Sequence, residues 1–177
     1  MTQAPIHELP ATPLFAGLDN EDWPDLLGIS VRLELGVGEP VFREGAPADA
    51  FFVLLKGLVE VRAKMKTGNA EKALAHLGTG AVLGETSLFL GGQHSASIYA
   101  AEPSTLLQFR NEGFLEMIRT RHRGAIQVLY NMGHTLAVRL RAADAEITAG
   151  AAAAAAAPGG IIGNADKARK IFGTDYA

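Results

Sequence analysis

From Val31 to Phe109 short apolar runs alternate with glycines, and this punctuation limits the fold more than any other feature of the chain. The runs are Val31–Leu35, Pro40–Phe42, Phe51–Leu55, Leu58–Arg62, Ala73–Leu77, Ala81–Leu83, Ser95–Ala100 and Thr105–Phe109. Glycines at 36, 38, 45, 57, 68, 78, 80, 84, 91 and 92 stand at the breaks. Runs this short are strand-sized, and turn residues between them predict an antiparallel sandwich or barrel. Leu58–Arg62 alternates in the manner of a half-buried strand, with Val59 and Val61 on one face and Glu60 and Arg62 on the other. Thr67-Gly68-Asn69 suits a hairpin tip.

The flanks change period. Residues 1–13 are proline-rich and read as a loose lead-in. Leu14, Phe15 and Leu18 form a packing turn, and Asp19 is placed to cap a helix from Asn20 with Trp23, Leu26, Leu27 and Ile29 on its apolar face. After Asn111 a short helix carries Phe114, Leu115 and Ile118, and Gly124 is read as its separation from a long one. In the long helix Ile126, Leu129, Gly133, Leu136, Leu140, Ala143 and Ile147 follow a 3-4-3-4 spacing. That seam is read as that of a parallel homodimer, alone or combined with packing on the barrel, with a helix that simply covers the end of the barrel as the alternative. Beyond it stand seven alanines, Ala151–Ala157, and the helix-stopping Pro158-Gly159-Gly160. Residues 149–165 read as a linker, its alanines an optional continuation of the long helix before the stop, and Asp166–Phe172 as a short basic turn: a disordered tail, or a docking peptide that orders on a protein partner. The expected organisation is a lead-in (1–13), one domain (14–148), a linker (149–165) and a tail (166–177). The fold class is α+β, mainly β: an eight-stranded antiparallel β-roll with flanking helices.

Composition excludes several functions. The chain of 177 residues has no cysteine, which removes disulfides, thiolate metal sites and cysteine nucleophiles. A net charge of −3 gives no general attraction to nucleic acid or anionic membranes. The uncharged stretch from Ile147 to Ala165 is mostly alanine and broken by Gly and Pro, so no membrane insertion is expected. The first residues lack a basic-then-apolar leader pattern, so a cytoplasmic location is the expectation. The five histidines lie at scattered positions without metal-ligand spacing, and no Gly-x-Ser-x-Gly or phosphate-loop motif of an NTPase occurs. Neither catalytic residues nor a metal or cofactor is expected, and the chain is not read as an enzyme.

Several motifs recur together. They are Leu14-Phe15-x-x-Leu18, Gly38-Glu39-x-Val41-Phe42-x-Glu44-Gly45, and Ala48-Asp49-x-Phe51-Phe52-Val53-Leu54-Leu55-x-Gly57. Leu77-Gly78-x-Gly80-x-x-Leu83-Gly84-Glu85 and Leu136-Ala137-x-Arg139-Leu140-Arg141 follow. Over residues 14–147 the chain resembles the cyclic nucleotide-binding domain family of catabolite-activator-type regulators, kinase regulatory subunits and gated channels. The resemblance implies cyclic AMP or cyclic GMP as ligand and a β-roll whose flanking helices move on binding. The family's phosphate cassette maps onto Leu83 to Ala96. In it Gly84 and the following amides approach the phosphate, and Glu85 accepts from the ribose 2′-hydroxyl. Thr86, Ser87, Ser95 and Ala96 complete the implied contacts, and Asp144 on the long helix either meets the base or faces solvent. The family's arginine falls on His94 or on a one-residue deletion, because Gly92-Gln93-His94-Ser95-Ala96 contains no arginine. His94 reads as a pH-sensitive substitute anion donor or as a solvated loop residue. Roughly 30 residues follow the domain, too few for a helix-turn-helix, so no DNA partner is expected. The chain reads as a non-catalytic regulator signalling to a protein partner, or as a ligand-independent interaction module with a degenerate pocket.

Overall fold

The computed structural model describes residues 12–64 and 71–156. The hairpin tip at Thr67–Asn69, the lead-in before Thr12 and the tail at 166–177 lie outside the described residues. The chain divides into two compact units, residues 1–132 and 133–177. The eight expected strands are all present: β1 (Ser30–Leu35), β2 (Pro40–Phe42), β3 (Ala50–Lys56), β4 (Leu58–Lys64), β5 (Glu71–Gly78), β6 (Val82–Leu83), β7 (Ser97–Ala100) and β8 (Ser104–Arg110). They form two four-stranded antiparallel sheets, ordered β1-β8-β3-β6 and β2-β7-β4-β5.

Strand β3 in the first sheet is buried on both faces, which explains its unbroken apolar text. Phe51, Val53 and Leu55 of β3 join a cluster with Leu14, Phe15, Leu26, Leu27, Phe114 and Met117 from the helical segments. Their neighbours Ala50, Phe52 and Leu54 point the other way, into a cluster with Val59, Leu83 and Ile98 between the sheets. This is the period-2 alternation of a strand applied to two cores at once. Phe51 is the hinge of the first cluster: its ring stacks on Phe109 at 5.0 Å and meets Phe114 edge-on at 5.2 Å.

The helices are α1 (Trp23–Gly28), α2 (Thr86–Leu90), α3 (Asn111–Arg119) and α4 (Arg123–Ala156), preceded by a 3₁₀ turn at Pro13–Phe15. Two boundaries differ from the sequence expectation. Helix α1 starts at Trp23, three residues later than expected, because Pro24 has no N–H to give an earlier turn and is at home only in a first turn. Asp19 is not the cap; its own N–H donates to Asp22 Oδ2 at 2.8 Å. The α3–α4 break lies at Thr120–His122, where Arg121 takes φ of 62°. Gly124 instead sits inside the first turn of α4, so close to α1 that a Cβ there would come within 2.7 Å of the Asp22 side chain. His122 caps α4, its Nδ1 accepting the Ala125 N–H at 3.3 Å while Nε2 meets Asp25 at 3.1 Å. Arg123 bonds Asp19 and Asp22, and Asn131 donates to the Leu14 and Ala16 carbonyls. His122 and Arg123 thus fasten α4 to the N-terminal turns, while Arg119 pairs with Glu116 of α3. The alanine run up to Ala156 continues α4.

Candidate functional site

The segment from β6 to β7 is built on tight glycine turns. Gly84 holds φ of +69°, and a Cβ there would lie 3.2 Å from the Ala50 carbonyl and 3.3 Å from His94 Cε1. A side chain there would be both strained in its backbone and crowded against its neighbours. Helix α2 follows for five residues and ends at Gly91 and Gly92, both at positive φ. The returning loop then pairs with the β2–β3 connection. His94 N–H donates to the Ala46 carbonyl at 3.0 Å, Gly45 N–H to the His94 carbonyl at 2.9 Å, and Ala48 N–H to the Gly92 carbonyl at 3.0 Å. The cassette is therefore tied to the sheet at both ends.

This pairing decides the state of His94. The residue is 8% exposed, so it is not a solvated loop histidine. Its ring lies flat on Phe42, centroids 3.7 Å apart and planes 9° apart, and Phe42 in turn packs on Phe52 at 5.6 Å. Burial pushes the imidazole below its ordinary pKa, and the charge of Asp49 opposes this only in part. At neutral pH the ring is uncharged and engaged with an aromatic neighbour. It carries no fixed positive charge for an anion.

The other expected site residues fall into three groups. Glu85 is buried at the start of α2, while Thr86 and Ser95 are exposed and Ala96 is half-buried beside them. Ser87 is buried, and its hydroxyl is committed to the protein: it donates to the Ala50 carbonyl at 3.3 Å and accepts from Asn111 Nδ2 at 3.1 Å. Asp144 is exposed on α4 in the unit that begins at Gly133. Along α4 the buried stripe is Ala125, Val128 and Met132, and the expected seam is a separate stripe beside it. Ile126 and Leu140 are exposed, at 45% and 64%, as are Gly133 and Ala143; Leu129 and Leu136 are half-buried. The side chain of Ile147 lies outside the described residues. Tyr130 and Val138 are also exposed on this helix.

Sequence reasoning missed two residues that shape the site. Phe42 was legible as part of an apolar strand, but not as the stacking partner of His94. Asn111, the first residue of α3, bonds both Ser87 and the Ala48 carbonyl and so joins cassette to helix; nothing in its local sequence marks it. Among the described residues no group of three metal-ligating side chains occurs.

The comparisons bear on this arrangement directly. Residues 32–121 match the family model of the cyclic nucleotide-binding domain, about half of the chain. The chain belongs to the cyclic nucleotide-binding domain family. The domain is 35% identical over 136 residues to the cyclic AMP receptor protein of Thermus thermophilus, covering 77% of this chain and 61% of that one. A crystal structure of the Thermus thermophilus catabolite activator protein superposes with a TM-score of 0.67 at 35% identity, over 77% of this chain and 62% of that one. The chain thus spans about three fifths of the length of these regulators. Glutaminase 2 of Bradyrhizobium diazoefficiens is 31% identical over 134 residues, which is 76% of this chain but only 20% of that enzyme. The cyclic nucleotide-binding domain seen here is accordingly shared by regulators and by a minor part of an enzyme. Among the described residues no helix is long and apolar enough to cross a membrane.

Proposed function

We propose that this chain is a non-catalytic sensor that takes a cyclic nucleotide at the 83–96 cassette and relays its occupancy through α4 to a protein partner. The observation that carries the proposal is the placement of Glu85, a carboxylate buried at the head of a glycine-turned cassette that is hydrogen-bonded to β3, to the β2–β3 connection and to α3. A buried carboxylate is a strong acceptor suited to a ribose hydroxyl. Thr86 and Ser95 offer exposed hydroxyls on the same segment. The ligand phosphate meets no arginine there. A charged bidentate pair is worth roughly 1.5–3 kcal/mol per hydrogen bond, so affinity is reduced by one to three orders of magnitude relative to a cassette that has one.

The Phe42–His94 stack favours a second reading, in which the pocket takes no nucleotide and the β-roll serves as an interaction module. Titration calorimetry with cyclic AMP and cyclic GMP separates the two. Micromolar binding by the wild type that Glu85→Ala abolishes supports the sensor. Absence of heat at millimolar nucleotide, in wild type and in His94→Arg alike, leaves the interaction module.

The output belongs to the same proposal. The exposed seam of α4 serves a parallel homodimer, and the tail at 166–177 serves as the docking peptide. Light scattering is expected to give a dimer mass that Leu140→Asp converts to a monomer; a monomeric wild type at high micromolar concentration removes the dimer. A truncation after Thr148 is expected to lose partners that the full chain captures.

A further inference from the structure

A recess of about 310 Å³ lies beside the cassette, lined by Ser87, Leu88 and Gly91 and by neither Thr86 nor Ser95. Its walls come from the rear of α2, the entry to β3 and the first turns of α3. Leu88 and Leu115 give it an apolar side. Three exposed charges stand around it, Arg110, Asp49 and Glu112, and none of them makes an ion pair among the described residues. Between them sits Asn111, nine-tenths buried. Its Nδ2 donates to the Ala48 carbonyl and to Ser87, but its Oδ1 is enclosed and has no donor. An enclosed acceptor without a donor is costly and uncommon, and it gives the amide reason to turn toward an N–H that enters the recess.

The charges restrict what can enter. A simple anion that reaches Arg110 also meets two carboxylates. A simple amine satisfies the carboxylates and leaves the guanidinium beside its own charge. A ligand that carries both charges satisfies both sets. All three charged residues and Asn111 line the one recess, and the Asp49 carbonyl accepts the Asn111 N–H at 2.8 Å. We propose that this recess binds a small zwitterion of the amino-acid type with an apolar side chain. Its carboxylate pairs with Arg110, its ammonium with Asp49, Glu112 and the Asn111 Oδ1, and its apolar arm lies on Leu88 and Leu115. By lying on Leu88 of α2 and Leu115 of α3, the apolar arm bridges the two helices.

The test is calorimetry and thermal shift on the full chain with L-leucine, and with 4-methylpentanoate and isoamylamine as probes lacking one charge each. Leucine is expected to give saturable heat below about 10 mM, and each single-charge probe to bind at least about tenfold more weakly. Arg110→Gln and Glu112→Gln change exposed side chains and are expected to keep the wild-type melting temperature. Each is expected to weaken leucine about tenfold or more while leaving any nucleotide titration unchanged. No leucine binding, equal binding of the single-charge probes, or leucine binding indifferent to both variants overturns the proposal. It stands apart from the cassette: Glu85→Ala should abolish nucleotide binding and spare leucine, so the two readings fail separately.

Discussion

The cassette has a rear that is fastened and a front that is not. At the rear, Ser87 bonds Ala50 and Asn111, the loop at 92–94 pairs with 45–48, and the strand behind, β3, has apolar clusters on both faces. At the front, Thr86 and Ser95 are exposed, the cassette contains no arginine, and His94 is buried, neutral and stacked on Phe42. The difference teaches that scaffold and charge are separable in this fold. The backbone that forms the cassette is maintained by contacts that owe nothing to the ligand.

Four substitutions or conditions break or sharpen that contrast. Removing the support has the largest effect: Phe51→Ala empties a fully buried ring site and is expected to lower stability by about 3–5 kcal/mol in urea or guanidinium unfolding. A loss under about 1 kcal/mol means the rear is not rigidly packed. Restoring the front comes next. His94→Arg is expected to raise cyclic nucleotide affinity about 10- to 100-fold, or about 1.4–2.8 kcal/mol, in calorimetry. An unchanged constant means that the missing charge does not limit binding. Ser87→Ala deprives Ala50 and Asn111 of a partner and is expected to cost about 1–2 kcal/mol of stability. Measured nucleotide affinity should fall less than it does in Glu85→Ala.

The smallest effect is that of pH. The folded protein holds the pKa of His94 below the reference of 6.5, so the unfolded chain takes up a proton that the folded one resists. This contribution is fully present above about pH 6.5 and declines as pH falls below it. Melting temperatures from pH 7.5 down to 5.5 should fall more steeply for wild type than for His94→Gln. Parallel curves exclude a buried neutral His94. A bound phosphate reverses the preference by favouring the imidazolium, so nucleotide affinity in wild type should rise toward acid pH.

Much of the fold was legible because strand signals are local. The alternation in Leu58–Arg62 and the doubly apolar text of Phe51–Leu55 depend on residues two apart, and the glycines mark turns where they stand. Local pattern differs from structure at Asn20, because Pro24 confines the first turn of α1 to Trp23 onward, and at Gly124, whose small size serves contact with α1 and not a helix break. In the site, the type of each residue was legible and its direction was not. Ser87 and Ser95 carry the same hydroxyl, yet one is spent inside the protein and the other faces solvent. The heptad stripe of α4 was legible as a stripe, and the buried one proved to be its neighbour at Ala125, Val128 and Met132.

By itself the sequence determined the eight strands, the flanking helices, the family and the absence of an arginine from the cassette. Only the tertiary structure decided that His94 rests buried, uncharged and stacked on Phe42. A side chain's charge follows from its desolvation and its neighbours. Those neighbours, Phe42 and Asp49, reach His94 from the opposite side of a pairing between two distant segments.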